Sequence, residues 1–388
     1  MGDPPTRLRL VAVQAAFGDC LLVEARSGAR TRHLLIDGGP QGTYETTLRP
    51  LLVEIGAAGE RIDVAVVSHI DNDHIAGILD LFGELRTGPP GGSPGHLPPI
   101  DVLWHNSFAH AVGSAQLEPT VRAVLRDVTR RQAAMPALAM VLRGVGEGDA
   151  LRAAALAVGI GSGPFPDSQV LLDGRPAILL DDLTITVVGP SRAILDRLKR
   201  EWLRWLGEHR ASVAEPGPVA AAAAVTADGS LPNLSSIVLL VELAGRSILL
   251  TGDARSDQIL AGMREAGLLD EDGRRHVSVL KMPHHGSIRN VTAEFLQAVT
   301  ADSYVVSADG RYGNPDYEAL ALTVETAHAR GRPFELALTN ATPSSERLLT
   351  THPPATFGYR MRVRQPGAPA LNVDARARRG AREESWTG

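Results

Sequence analysis

The chain has 388 residues, 44 % of them hydrophobic, enough for a packed core in one large domain or two ordinary ones. Its formal charge of −5 gives no overall sign of a nucleic-acid binder, although a local basic groove is compatible with it. The single cysteine, Cys20, excludes an intramolecular disulfide and fits a reducing compartment; followed by Leu21, Leu22 and Val23, it reads as a buried small side chain rather than a nucleophile. The opening MGDPPTRLRL lacks an apolar core of signal-peptide length, and no window approaches the ~18 apolar residues that span a membrane. The expectation is a cytoplasmic protein with no membrane partner.

In chain order, residues 7–38 read as three strands: Leu8 to Val13, Leu21 to Ala25, and His33 to Ile36. Turns at Phe17-Gly18-Asp19 and at 27–32 separate them, and the third runs into Asp37-Gly38-Gly39-Pro40. Tyr44 to Ile55 is predicted helical, with Leu48, Leu51, Leu52 and Ile55 on one face. Val64 to Val67 is a short, apolar, β-branched run of the buried-strand type, and Ile75, Ile78, Leu79 and Phe82 have the spacing of one helical face.

Between that strand and that helix lies Ser68-His69-Ile70-Asp71-Asn72-Asp73-His74, four potential metal ligands in six residues. Helix capping would account for a single Asp. Two His and two Asp in HxDxDH spacing, at a junction where side chains can converge, point to a borderline or hard divalent ion, because the donors are nitrogen and oxygen with no sulfur.

A Pro/Gly-rich loop, 87–99, precedes a predicted strand from Ile100 to Trp104 that ends in His105. A single imidazole at a strand end is a candidate for the site and equally a structural histidine. Residues 112–232 are uninformative: Ala-rich helical patterns to about 158, a strand-like alternation from Leu183 to Val188, a helical period from Ser191 to Leu206, and a segment of mostly Ala, Val, Gly and Pro. Signal returns with predicted strands Ser236 to Leu243 and Ser247 to Leu250, the second ending in Thr251-Gly252-Asp253. A buried carboxylate there requires a cation or another partner. A further strand, His276 to Met282, closes in Pro283-His284-His285-Gly286-Ser287, and a helix is predicted from Tyr317 to Ala329. The Arg-, Gly- and Pro-rich end, from about 365, is expected to be a disordered tail.

The HxDxDH run after an apolar strand resembles the HxHxDH signature of the metallo-β-lactamase superfamily. The Asp at position 71, the Asn233/Ser235-Ser236 element, Gly252-Asp253 and the HHGS run at 284–287 are similar to the soluble domain of the DNA-uptake protein ComEC and its stand-alone relatives. The resemblance spans about residues 7–320. It implies an α/β fold, a four-layer αββα sandwich with the metal at one edge of its two sheets, whose halves here would be 7–111 and 233–364 around a largely helical insertion at 112–232.

It also implies metal ligands His69, Asp71, Asp73, His74, Asp253 and one of His284 or His285, with Asp253 bridging two ions. His285 is favoured as the ligand; Asp73 and His284 are then the catalytic candidates, with His284 facing substrate. Asp71 in place of an imidazole, and the lack of a clear His between 75 and 253 for the remaining nitrogen, make the first site oxygen-rich, so one or two ions are expected: zinc first, manganese or magnesium as alternatives. Asn233, Ser235, Lys281, Ser287 and His105 are candidates for contacting substrate, with Arg289 and Asn290 nearby. The implied activity is metal-dependent hydrolysis of a phosphodiester, with nucleic acid as the expected partner. Hydrolysis of small esters, thioesters or lactams, and a non-catalytic metal-stabilised scaffold, are the alternatives.

Overall fold

Two β-sheets face each other, and each carries helices on its outer side. The computed structural model describes residues 6–88, 95–106, 136–165, 169–174, 177–197, 200 and 233–377. The first sheet holds β1 (Arg7–Val13), β2 (Leu21–Ser27), β3 (Arg30–Ile36), β4 (Ile62–Val67) and β5 (Ile100–His105), plus a strand from the chain's end. β1, β2 and β3 pair antiparallel; β3, β4 and β5 pair parallel. A wide turn at Tyr44–Leu48 leads into α1 (Arg49–Ala57), and α2 (Asn72–Thr87) starts inside the HxDxDH run. α3 (Pro136–Ala157) packs beside α2 on the same outer face.

The second sheet has eight strands: β6 (Ile178–Leu180), β7 (Leu183–Gly189), β8 (Val238–Leu243), β9 (Arg246–Leu250), β10 (Arg275–Lys281), β11 (Val299–Val306), β12 (Phe334–Leu338) and β13 (Tyr359–Val363). β6 to β9 pair antiparallel, and β9 to β13 form a parallel run. Outside this sheet lie α4 (Ser256–Glu265), α5 (Ala293–Ala298), α6 (Tyr317–His328) and α7 (Pro343–Thr351).

Alternation along the strands dictates the layers, because successive side chains point to opposite faces. Leu239 and Val241 of β8, with Ile248 and Leu250 of β9, meet Leu10, Val23, Leu34 and Val66 of the first sheet in the central core. Their neighbours Leu240 and Leu249 turn outward onto Ile259, Met263 and Leu320. On the other side Leu22, Leu35, Ala65 and Val67 face Leu52, Ile78, Phe82 and Leu151. Each such Leu or Val, removed from water, contributes about 1.5–3 kcal/mol. The result is the four-layer helix–sheet–sheet–helix order expected from the sequence.

One expectation about the chain's organisation is corrected. The end of the chain is not a disordered tail from 365: β14 (Ala370–Asp374) pairs antiparallel with β1 and completes the first sheet at six strands. Leu371, Val373 and Ala375 alternate into the core, and Asp374 takes an ion pair from Arg7 and from Arg9. Residues 378–388, with Arg378, Arg379 and Arg382, lie outside the described residues. Within 112–232 the strand-like alternation from Leu183 to Val188 forms β7, which with β6 extends the second sheet beyond β8. Most of the remainder of that segment, including Trp202 and Trp205, lies outside the described residues.

Candidate metal centre

The parallel strands of both sheets end at the same edge. β3 delivers Asp37, β4 delivers Ser68 and His69, β9 delivers Asp253, and β10 delivers Lys281 and the histidine pair. In open parallel sheets the carboxyl ends of strands are where ligands collect. The sheets are clasped there by Ile237 N–H donating to the Ser68 carbonyl (2.9 Å) and by Ser307 Oγ donating to the Gly18 carbonyl (2.7 Å). Gly18 and Gly77 permit close backbone packing within the first sheet's side of this edge. A Cβ on Gly18 would fall 2.1 Å from the Asp73 carbonyl oxygen, and one on Gly77 would fall 2.0 Å from that of Gly38.

Four imidazoles point Nε2 at the Asp253 carboxylate. His69 Nε2 is 3.7 Å and His284 Nε2 3.5 Å from one oxygen, Oδ2; His74 Nε2 is 3.5 Å and His285 Nε2 3.6 Å from the other, Oδ1. Asp71 lies 3.5 Å from His69 Nε2, while Asp73 lies 3.7 Å from His74 Nε2 and 3.3 Å from His285 Nε2. The donors thus fall into an outer group (His69, Asp71, His284) and an inner group (Asp73, His74, His285), with Asp253 between them.

Hydrogen bonds behind the rings fix their tautomers. His74 Nδ1–H donates to Asp37 Oδ2 (2.8 Å) and His285 Nδ1–H to the Ser307 carbonyl (2.8 Å). Ser68 Oγ gives its proton to Asp37 Oδ2 (2.7 Å) and so accepts from His69 Nδ1–H (3.1 Å). Asn290 Nδ2 donates to the Asp253 carbonyl (2.9 Å), which turns its Oδ1 toward His284 Nδ1 (3.0 Å) as acceptor. Each ring therefore turns Nε2 to the centre as the nitrogen a metal would take on displacing its proton, the arrangement that second-sphere partners impose on metal-binding histidines.

Buried Nε2 atoms of His69, His74 and His285, and Oδ1 of Asp253, have no hydrogen-bond partner. Buried polar atoms are seldom left so, and several converging on one point call for a cation. The electrostatics agree. Burial raises the Asp253 carboxyl and lowers the His74 imidazole, but mutual attraction outweighs it, holding the first well below the carboxylate range and the second well above the usual histidine range. Burial likewise lowers His285, yet Asp253 and Asp19 carry it up to about 10. Protons stand in for positive charge that a metal would supply. The residues fit a divalent cation.

The backbone is strained at this point. Asp37, His284 and His285 all have positive φ (60°, 46° and 55°), conformations that cost of order 1–3 kcal/mol for residues other than glycine. The left-handed turn at Pro283–Gly286 is what separates the adjacent imidazoles, sending one toward each oxygen of Asp253.

Lys281, Ser287 and His105 lie elsewhere than the sequence suggests, whereas Asn233 and Ser235 lie beside the site. Lys281 was expected at a phosphate; it is fully buried, with Nζ 2.6 Å from Asp19 Oδ2, because it ends a strand whose side chain points between the sheets. Ser287 is buried and donates to Asp316 (3.5 Å). His105 is buried against Gly148 of α3, is not among the side chains around Asp253, and is driven by burial down to about 4, hence neutral. Asn233 is buried with Nδ2 3.3 Å from His284 Nδ1, and Ser235 is buried in the same turn, whose neighbour Ser236 accepts from Asp253 N–H (3.2 Å). Arg289 is exposed.

Sequence reading missed Asp19 and the support that Asn290 gives His284. One donor atom each from Asp19, His74, Asp253 and His285 lie within 4.8 Å of one another. Asp19 was passed over because Gly-Asp reads as an ordinary turn; its only signal was the apolar strand directly after it.

Residues 14–172 match the family model of the metallo-beta-lactamase superfamily. No curated protein matches the chain. Among solved structures it is similar to the metallo-beta-lactamase fold protein YhfI from Bacillus subtilis, at 12 % identity and a TM-score of 0.38, covering 95 % of this chain and 99 % of that one. No helix among the described residues is long and apolar enough to cross a membrane. The match over 14–172 and the two sheets between helical layers are consistent with a metallo-β-lactamase fold, and the buried Asp/His cluster could bind a metal ion.

Proposed function

We propose that the protein hydrolyses phosphodiesters, with nucleic acid as the substrate class, using two divalent cations that share Asp253. The observation that supports this most is the division of donors around Asp253. His69, Asp71 and His284 would hold one cation, and Asp73, His74 and His285 the other, so that His284 supplies the second nitrogen of the outer group. Such a pair supplies Lewis acidity and lowers the pKa of water to about 7, chemistry suited to in-line displacement at phosphorus.

The chain's own residues support the rest. Asp71 and His284 stand partly exposed (38 % and 29 %), so the outer group forms the mouth. Asn290 keeps His284 oriented there, and Asp37 holds both His74 and Ser68. Three carboxylates beside the four imidazoles are compatible with manganese or magnesium besides zinc. Beside the mouth, the 310–314 turn is tied to the histidine pair by Asn314 Nδ2 donating to the His284 carbonyl (3.4 Å). It presents exposed Tyr312, edge-on to Phe17 at 4.9 Å, with the Arg311 guanidinium 4.8 Å from the Phe17 ring centre. A base can stack on such a tyrosine and a phosphate can pair with such an arginine. The ComEC-like pattern at Asp71 and Asn233 to Ser236 points the same way.

The test is cleavage of single- and double-stranded DNA and of RNA in added Mn, Mg or Zn, with metal content measured alongside. The expected result is metal-dependent cutting that His74→Ala abolishes while the protein stays folded. Turnover of small esters by a preparation that leaves nucleic acid intact would overturn the substrate assignment. Nucleic-acid binding that survives His74→Ala, with no turnover of any substrate, would favour a scaffold.

A further inference from the structure

Asp19 is a further carboxylate beside the donor cluster, fully buried, in reach of the cluster yet turned away from it. Its Oδ1 lies 3.4 Å from His285 Nδ1, behind the ring, while Asp73 meets the same ring at Nε2 (3.3 Å). A donor atom of Asp19 nevertheless lies within 4.8 Å of those of His74, Asp253 and His285. What engages Asp19 instead is Lys281, fully buried, at 2.6 Å. Lys281 also donates to the carbonyl of its neighbour Met282 (3.1 Å), and Thr251 Oγ1 donates to the Lys281 carbonyl (2.8 Å). An ammonium taken out of water is retained only with a close counter-ion. Here that counter-ion borders the metal cluster.

We propose that Lys281 is a metal-selectivity residue: a resident cation that holds Asp19 behind His285 and keeps it from becoming a fifth donor to the inner ion. With Asp19 so held, the inner group is Asp73, His74, Asp253 and His285, four donors with two nitrogens, the number and mix that suit zinc. Released, Asp19 adds a third carboxylate and raises both coordination number and oxygen content, the direction that favours manganese. Lys281 thus acts through Asp19; it touches neither metal nor substrate. The proposal depends on metal binding at the cluster and not on what is hydrolysed.

The experiment titrates metal-free full-length protein with Zn²⁺ and with Mn²⁺, separately and in competition, for the wild type, Lys281→Met and the double variant Asp19→Asn/Lys281→Met. For Lys281→Met the expected outcome is a shift of at least about tenfold toward Mn²⁺ in the ratio of affinities, the size of effect that outer-sphere changes produce. The double variant is expected to return to the wild-type ratio with the wild-type number of bound ions. An unchanged ratio in folded Lys281→Met overturns the proposal. Should Lys281→Met fail to fold, the uncharged double variant decides: wild-type stoichiometry upholds the proposal, and loss of one ion from the folded protein overturns it, since Asp19 would then be a ligand already.

Discussion

Around Asp253 the inner and outer donor groups use the same chemistry and are built to different standards. Behind the inner histidines stand Asp37, itself accepting from Ser68 N–H and Oγ, and the Ser307 carbonyl, and both rings are buried. In the outer group His69 is as firmly set, but Asp71 and His284 are partly open to solvent. A donor held by several partners in a low-dielectric interior is preorganised, whereas an exposed carboxylate must be ordered on binding and competes with water. The inner group should therefore bind first and tightest, and the outer group should be the exchangeable one, facing the substrate.

Asp253→Ala tests the comparison most severely, since it removes the shared carboxylate. Both ions should be lost and turnover should fall at least about a thousandfold, the rate equivalent of several kcal/mol; elemental analysis and kinetics check this. His74→Ala should empty the inner group in the same way, and retention of a full inner ion would break the assignment. Asp37→Asn should come next: it leaves every donor in place but weakens the support of His74, costing about 10–100-fold in metal affinity.

Asp71→Asn should affect only the outer group. One ion per chain should remain tightly bound, and activity should recover at raised metal concentration. The smallest effect is expected at the rim, where Tyr312→Ala should raise KM for single-stranded nucleic acid about fivefold and leave metal content unchanged, as loss of a stacking platform does.

The inner group also makes a prediction about pH. In the metal-free protein His285 is carried up to about 10, above the ordinary 6.5, by Asp253 and Asp19 despite burial. A raised folded-state pKa gives stability that is complete below about pH 6.5 and is lost as pH rises through 10. The thermal midpoint of the metal-free protein should decline across that window. Metal should abolish the decline, because it replaces the proton, and its uptake should acidify a weakly buffered solution.

Much of this was legible in the chain itself. Period-2 and period-3.6 apolar patterns gave the strands and helices of the first half, and HxDxDH, Gly252-Asp253 and the histidine pair marked the donors by residue type and spacing. β14 was illegible because its alternation of Leu371 and Val373 is short and surrounded by Arg, Gly and Pro, and it is stable only as an edge beside β1. Asp19 was illegible because a carboxylate in a Gly-Asp turn reveals its neighbours only after Lys281, about two thirds of the chain's length away, has been brought to 2.6 Å.

Sequence alone therefore determined which chemical groups are present, where strands end, and that the donors are nitrogen and oxygen. The tertiary structure decided their partnerships: which oxygen of Asp253 each imidazole meets, which nitrogen of each ring stays free, and that Lys281 is an interior counter-ion rather than a surface hand for phosphate. Ligand type is a property of a residue and can be read locally. Burial, tautomer and charge balance depend on what two sheets, distant in sequence, bring to one edge.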